Sequence, residues 1–174
     1  MNGVQADNLD GSDETTGDYV SLFHGDVPTV EHFDTMSDEF NFVIDTIRQL
    51  EADGVPTQDI CLVARTDQIR QPYMAALQQH GILVYPVSRT SADDRSKPGV
   101  RVANMHRIKG LEFQYVIIVG VNDGNVPFYR AKSDDIVEQR ALEFSERALF
   151  HVAATRAIKQ LFVSSNTKKS PFLV

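Results

Sequence analysis

The chain has 174 residues, of which 42% are hydrophobic and 24% charged, a composition that predicts one compact domain with a hydrophobic core. Its one cysteine, Cys61, lies within an apolar run, so the sequence excludes a disulfide framework and favours an intracellular protein. Neither a long apolar run nor a basic and then apolar N-terminus is present, which excludes a membrane span and a secretory signal and predicts a soluble protein of the cytoplasm.

The net charge of −7 is distributed unevenly along the chain. Residues 1–98 carry 6 basic and 17 acidic side chains, a net charge of −11, whereas residues 99–174 carry 11 basic and 7 acidic side chains, a net charge of +4. The acidic, Gly-, Ser- and Thr-rich opening has few apolar side chains to bury, so we interpret 1–17 as a disordered leader or boundary segment and 18–174 as the domain. A basic working surface in the C-terminal half is therefore compatible with an acidic whole.

The domain is expected to begin with a short strand and an amphipathic helix. Residues 19–24 (YVSLFH) alternate weakly in polarity and are closed by a Gly-Asp turn, a pattern that predicts a strand. Thr35 and Ser37 offer N-caps to a helix that ends before Gly54. Its apolar positions follow helical spacing: Phe40, Val43, Ile44, Ile47 and Leu50.

The next segments predict a strand, a helix, a strand and a loop. Residues 59–65 (DICLVAR) form an almost continuous apolar run, which is typical of a strand covered on both faces. A helical pattern follows and stops at Gly81, and residues 82–87 predict another strand. The polar, turn-rich residues 88–98 predict an exposed loop.

The C-terminal half predicts two strands, a long helix and a last strand. Residues 100–105 and 115–121 are apolar runs, and the second is the most apolar stretch of the chain, as expected of a central strand. Residues 160–164 predict the last strand. The helix predicted between strands 115–121 and 160–164 has apolar positions at Val137, Ala141, Phe144, Ala148 and Val152. Strands that alternate with helices predict an α/β fold with a mostly parallel sheet and helices on both faces.

Two segments stand out for their chemistry. Residues 106–113 (HRIKGLEF) are a dense polar cluster between two apolar strands, and residues 146–157 (ERALFHVAATRA) place Arg156 after small residues at the end of a helix. Since ligands of such sheets gather at the carboxyl ends of the strands, we expect the working loops there.

These two segments resemble motifs of the second RecA-like domain of superfamily 1 DNA helicases of the UvrD, Rep and PcrA type. Residues 104–113, with the hydrophobic strand and the G-x-x-P turn that follow, are similar to T-x-H-x-x-K-G-L-E-F; residues 145–157 are similar to E-E-R-R-L-x-Y-V-A-x-T-R-A. The resemblance covers about residues 19–174. It implies a RecA-like three-layer sandwich and the C-terminal motor domain of an ATP-dependent DNA helicase, with 3′-to-5′ translocation, a place in DNA repair, and no large helical insertion at 88–98.

The resemblance also implies roles for individual residues. Arg156 would be an arginine finger that meets the γ-phosphate of ATP, because a guanidinium is a rigid and permanently charged fork. Glu112 would accept a hydrogen bond from the nucleotide's sugar, and Gly110 would let the backbone approach closely. We expect Glu112 and Arg156 to converge on one open edge of the sheet.

Other residues of the same segments would face single-stranded DNA, donating to phosphates or contacting a base. They are Asn104, His106, Arg107 and Lys109, with Arg65 as a lesser contact. Structural interpretations stay open for several: Arg65 is an ordinary strand-terminal arginine, and His106 and Lys109 are equally consistent with supporting a loop. The histidines His24, His32, His80 and His151 show no metal-ligand spacing, and no resident metal site is predicted.

No G-x-x-x-x-G-K-[ST] phosphate loop occurs in the chain. The resemblance places that loop and the acids that bind Mg²⁺ in a preceding N-terminal RecA-like domain, so ATP with Mg²⁺ would be shared between two domains and this chain alone would be inactive. Two alternatives remain: the motor domain of a helicase-like factor that acts on RNA polymerase, and a non-catalytic interaction domain derived from such a motor.

Overall fold

The structure is a computed structural model that describes residues 25–88, 92–129 and 134–173. Its elements in chain order are β1 (Thr29–Phe33), α1 (Met36–Ala52), a 3₁₀ turn (Thr57–Asp59), β2 (Ile60–Ala64), α2 (Asp67–Gln79), β3 (Val84–Pro86), β4 (Val100–Asn104), β5 (Phe113–Ile118), α3 (Ile136–Ala154) and β6 (Ala157–Asn166). The predicted leader 1–17 and the predicted strand 19–24 lie outside the described residues.

The strands form one six-stranded sheet in the order β1-β6-β5-β2-β4-β3. Every strand pair in it is parallel. Strands β5 and β2 occupy the centre, as their continuous apolar sequences predict. The expected α/β class with a parallel sheet is confirmed.

Strand β1 was not predicted, for a physical reason. Three of the five residues in its sequence TVEHF are polar, and only part of its surface is covered because, among the described residues, it is an edge strand that pairs only with β6. An edge strand needs little apolar sequence, so it gives a weak signal.

The hydrophobic core lies in two layers, one on each face of the sheet. Strand β2 shows this directly, since Ile60 and Leu62 contribute to the layer beneath α1 and α2, whereas Cys61 and Val63 contribute to the layer beneath α3. Burial raises the pKa of the Cys61 thiol far above its ordinary value, which fits the side chain of a core residue. The sheet is therefore covered on both faces, as predicted.

Helices α1 and α2 follow the sequence expectation closely. The hydroxyls of Thr35 and Thr66 each accept a backbone N–H two or three residues into the helix, from Asp38 at 3.1 Å and from Ile69 at 3.2 Å. The apolar positions predicted to face the core are buried in α1 at Val43, Ile44, Ile47 and Leu50.

Helix α3 corrects the sequence expectation. The helix is present, but most of the apolar stripe predicted to face the core is exposed, with Val137 70% and Phe144 76% accessible to solvent, and only Val152 is half-buried. The buried face instead includes Glu146 and Ala153, with Leu149 and Phe150 packed against the core. No helix in the described ranges has both the length and the apolar character needed to cross a bilayer.

Candidate functional site

The segment between β4 and β5 crosses one face of the sheet without a helix. Strand β4 ends at Asn104 and β5 begins at Phe113, and because the two strands are parallel, the chain must return from the carboxyl edge of the sheet to its amino edge. A five-residue strand spans roughly 16 Å. We call residues 105–112 the crossing segment; buried Ile108 and half-buried Leu111 hold it against the sheet.

The crossing segment starts in a tight turn that Asn104 organises. The side-chain oxygen of Asn104 accepts the N–H groups of His106 (3.1 Å) and Arg107 (3.0 Å), and its amide nitrogen donates to Asp67 at 3.0 Å. Asn104 is buried, whereas His106 and Lys109 are exposed and Arg107 is partly exposed. Of the predicted DNA-facing residues on this segment, His106, Arg107 and Lys109 therefore present side chains outward, and Asn104 shapes the turn that carries them.

A cleft of about 450 Å³ lies beside this turn, at the carboxyl ends of β2 and β4. Its lining residues are Arg65, Thr66, Asp67, Asn104, His106 and Phe128. A second cleft of about 310 Å³ lies between the crossing segment and α3 and includes His106 and Lys109 in its lining. Exposed cations and an aromatic ring beside an open polar groove are the features that hold a nucleic-acid backbone and stack its bases.

Arg65 is engaged within the protein rather than directed at solvent. Its guanidinium donates to both carboxylate oxygens of Glu146, from Nε at 2.8 Å and from Nη2 at 2.5 Å, and its Nη1 lies 3.3 Å from Nε2 of His106. Both Arg65 and Glu146 are buried. The pair links β2 to α3 and supports His106, an arrangement that favours the structural interpretation of Arg65 over a DNA contact.

Glu146 is a residue that the sequence analysis missed as a partner in this cluster. Its carboxylate also accepts the N–H of Phe128 at 2.9 Å, and the Phe128 ring lies beneath the Arg65 guanidinium, 5.4 Å from it. Burial alone would raise the pKa of Glu146, but the hydrogen bonds from Arg65 and from the Phe128 N–H outweigh burial and hold the pKa below its ordinary value. The signal in the sequence that could have indicated Glu146 is its position as a charged residue within the helical motif 146–157.

Glu112 and Arg156 lie at the opposite, amino edge of the sheet. The N–H of Phe113 donates to the carbonyl oxygen of Arg156 at 3.0 Å, so the two residues precede neighbouring strands, β5 and β6. The expectation that the working loops lie at the carboxyl ends of the strands is wrong for these two residues. Because the crossing segment traverses the sheet, one motif has its beginning at one edge and its end at the other.

The side chains at the amino edge differ in exposure. Glu112 is exposed, and Gly110 before it has φ = +84°, a backbone conformation that side chains rarely adopt. Arg156 is half-buried, with Nε donating to the carbonyl of Val152 (3.1 Å) and Nη2 to the hydroxyl of Thr155 (3.3 Å). Its guanidinium therefore rests on the C-terminus of α3, where the helix dipole stabilises a cation.

In the described parts of the chain, no three His, Cys, Asp or Glu side chains come together in a way that could hold a metal ion. The residues with the chemistry to contact a nucleotide are Glu112, an acceptor for sugar hydroxyls, and Arg156, a donor for phosphate oxygens.

Residues 87–168 match the UvrD-like helicase C-terminal domain. Curated relatives include the ATP-dependent DNA helicase Rep of Buchnera aphidicola subsp. Baizongia pistaciae, 42% identical over 85 residues that cover 42% of this chain and 12% of that protein. The ATP-dependent DNA helicase PcrA of Leuconostoc citreum is 39% identical over 67 residues, which cover 38% of this chain and 8% of that protein. The chain thus spans about a tenth of the length of the relatives it matches.

A solved structure, the C-terminal domain of a possible DNA helicase from Lactobacillus plantarum WCFS1, matches with a TM-score of 0.66 and 23% identity, covering 86% of this chain and 80% of that one. At that identity the likeness shows the shared fold. The sheet topology and the two motifs agree with these matches, so residues 87–168 are similar to the UvrD-like helicase C-terminal domain.

Proposed function

We propose that this chain is the second motor lobe of an ATP-dependent DNA helicase. In this proposal Arg156 is the arginine finger for the γ-phosphate of ATP, and Glu112 accepts a hydrogen bond from the ribose. His106, Arg107 and Lys109 form part of the track for single-stranded DNA. Translocation from 3′ to 5′ is part of the proposal on the strength of the family resemblance.

One observation carries the proposal. The hydrogen bond from the Phe113 N–H to the Arg156 carbonyl brings together residues of two motifs, 43 positions apart in sequence, at one edge of the sheet. The crossing segment leads from that edge to the clefts at which His106 and Lys109 lie. If a nucleotide-bound N-terminal lobe moves against the amino edge, the crossing segment therefore connects that movement directly to the turn proposed to face DNA.

The residues at the amino edge fit ATP in their chemistry. An exposed carboxylate suits a sugar hydroxyl. The Arg156 guanidinium donates to a carbonyl and a neutral hydroxyl, and it can exchange these partners for a phosphate, which binds it more strongly. The bound nucleotide supplies the phosphoryl group whose transfer to water drives the cycle. We propose that the phosphate loop and the acids that hold Mg²⁺ lie in an N-terminal lobe, and that this chain alone does not hydrolyse ATP.

The test is the variant Arg156→Ala in the complete motor, with the phosphate-loop lobe present. Loss of an arginine finger is expected to lower ATP turnover by roughly 10³-fold or more, since the finger stabilises charge that develops in the transition state. The affinity for ATP should change little. Arg140→Ala is the matched control, because Arg140 is an exposed arginine on α3, the helix that ends just before Arg156. Near-normal turnover of Arg156→Ala would refute the assignment of the finger.

A further inference from the structure

The loop between β3 and β4 is built around a buried arginine. Arg101 on β4 is completely buried, and its guanidinium donates to the Asp93 carboxylate at 2.9 Å. It also donates to three carbonyl oxygens of the loop, those of Asp94 (2.6 Å), Lys97 (2.8 Å) and Gly99 (2.8 Å). The sequence predicts an exposed polar loop here, and most of its described residues, 92–99, are exposed. These bonds also hold the loop in place, because a buried guanidinium must satisfy its donors.

The loop places Arg95 across the amino ends of two neighbouring strands. The Arg95 guanidinium donates to the carbonyl oxygen of Glu112 at 2.7 Å, just before β5, and to that of Gln58 at 2.8 Å, just before β2. It forms ion pairs with Asp59 (3.3 Å) and Asp93 (2.8 Å) and lies over the ring of Phe113, 4.7 Å from its centre. Arg95 is therefore fixed in position although its side chain is 43% exposed.

The peptide group between Glu112 and Phe113 is held at both of its polar ends. Its oxygen accepts from Arg95 at 2.7 Å, and its N–H donates to the Arg156 carbonyl at 3.0 Å. Because a peptide group is planar, two bonds on opposite sides fix the orientation of the whole plane. That plane contains the Cα atom of Glu112, so fixing it limits the directions in which the Glu112 side chain can leave the backbone.

We propose that Arg95 is a positioning residue for the nucleotide site: it fixes the Glu112–Phe113 peptide plane so that the Glu112 carboxylate meets the ribose of a nucleotide held beside Arg156. The inference rests on the proposed function, since it assigns a task to Glu112. It adds to that function a residue outside both motifs, in the loop that connects β3 to β4. The ligand class is a ribonucleotide, which the site would distinguish from a deoxynucleotide by a sugar hydroxyl.

The test compares ATP with its 2′-deoxy and 3′-deoxy analogues in the complete motor. A hydrogen bond from a hydroxyl to a carboxylate predicts that the parent protein prefers ATP to one of the analogues by about tenfold in KM. Arg95→Ala should lose most of that preference and leave kcat for ATP within about twofold. Lys97→Ala is the matched control, because Lys97 is a more exposed cation of the same loop, 4.0 Å from Asp94.

Glu112→Gln and the double variant separate the two proposals. If Arg95 acts through Glu112, the double variant should resemble Glu112→Gln alone. If Glu112→Gln loses the preference but Arg95→Ala keeps it, Arg95 does not position Glu112 and the proposed function stands. If Glu112→Gln itself keeps the preference, the sugar assignment is wrong, and with it the role of Arg95.

Amide exchange in this 174-residue chain supplies a readout that needs no nucleotide. Arg95→Ala and Arg95→Lys should speed exchange of the Phe113 N–H and leave that of Val163 in β6 unchanged, because an ammonium group cannot reproduce the guanidinium's two carbonyl contacts. Faster exchange throughout β5 and β6 in both variants would overturn the proposal in favour of a purely structural ion pair.

Discussion

Glu39 is a carboxylate that lies completely buried between α1 and the sheet. It accepts hydrogen bonds from the hydroxyl of Tyr73 (2.7 Å), the N–H of Gly120 (2.9 Å), the hydroxyl of Ser164 (2.6 Å) and the side-chain amide of Asn166. Burial, followed by the adjacent Glu39 charge, raises the pKa of Tyr73 far above its ordinary value, so Tyr73 keeps its proton and donates. One side chain thus joins α1, α2, β6 and the loop after β5.

We predict that Glu39→Ala lowers the free energy of unfolding by about 3 kcal/mol or more, because four buried donors lose their acceptor. Urea unfolding of the chain measures this. Glu51→Ala is the control, since Glu51 is exposed on the same helix, and it should change stability by no more than about 0.5 kcal/mol. A loss below about 1 kcal/mol for Glu39→Ala would mean that water replaces the carboxylate.

Glu146 predicts a pH dependence of stability with a definite sign. Its folded-state pKa lies below the ordinary value of 4.5, because the bonds from Arg65 and Phe128 outweigh burial. The stabilisation is complete above the unfolded-state pKa and is lost as the pH falls through the folded-state pKa. The difference in unfolding free energy between the parent chain and Glu146→Gln should therefore be constant near pH 7 and shrink below about pH 4.5.

Urea unfolding at a series of pH values measures that difference. Glu51→Gln is the reference, since its carboxylate is exposed, and its small difference should vary less with pH. A Glu146→Gln difference that stays constant down to pH 3 would show that the Arg65 pair does not favour the charged form of Glu146.

At the scale of the elements, sequence periodicity predicts the buried face of a helix correctly where that face is apolar, and incorrectly where that face contains a buried ion pair. In α1 the row of apolar residues is the buried row. In α3 two rows compete: the apolar row through Phe144 is exposed, and the buried row contains Glu146. A hydrophobic count excludes Glu146 from a core-facing row, and its partner Arg65 lies 81 positions away in sequence, beyond any local pattern.

For the candidate site too, the sequence predicts some features and misses others. The motif letters identify Glu112 and Arg156, but the general rule that ligands gather at the carboxyl ends of parallel strands misplaces them, because it does not foresee a crossing segment without a helix. Arg95 gives no sequence signal, since only the tertiary fold brings its loop to the amino ends of β2 and β5.

The exposed row of α3 leads to a prediction about stability. Phe144→Ala should change the free energy of unfolding of this chain by no more than about 0.5 kcal/mol, because the ring is 76% exposed and leaves no cavity. Ile47→Ala, at a completely buried position of α1, should cost about 2–5 kcal/mol. Urea unfolding distinguishes the two. A loss above about 2 kcal/mol for Phe144→Ala would show that this row belongs to the core.

At the scale of the whole molecule, the proposed nucleotide contacts and the proposed DNA contacts lie at opposite edges of the sheet. The amino edge carries Glu112 and Arg156, and the opposite edge carries the clefts beside His106. The net charge of −7 opposes general attraction of nucleic acid, so the proposed DNA binding would have to rest on the few cations of one surface.

This arrangement predicts the salt dependence of DNA binding. If two or three cations of the crossing segment and its surroundings contact phosphates, the slope of log affinity against log salt concentration should be about −1.4 to −2 for a single strand. A labelled oligonucleotide titrated at several salt concentrations measures it. Lys109→Ala should make the slope shallower by about 0.7, because one phosphate contact is lost.

Lys159→Ala is the matched control for that measurement. Lys159 is an exposed lysine near the amino end of β6, at the edge opposite the clefts, so it contributes the same charge to the molecule but no proposed phosphate contact. Its removal should lower affinity slightly through net charge and leave the slope unchanged. Equal changes of slope for Lys109→Ala and Lys159→Ala would mean that DNA senses only the total charge, and the crossing segment would then lose its place in the DNA track.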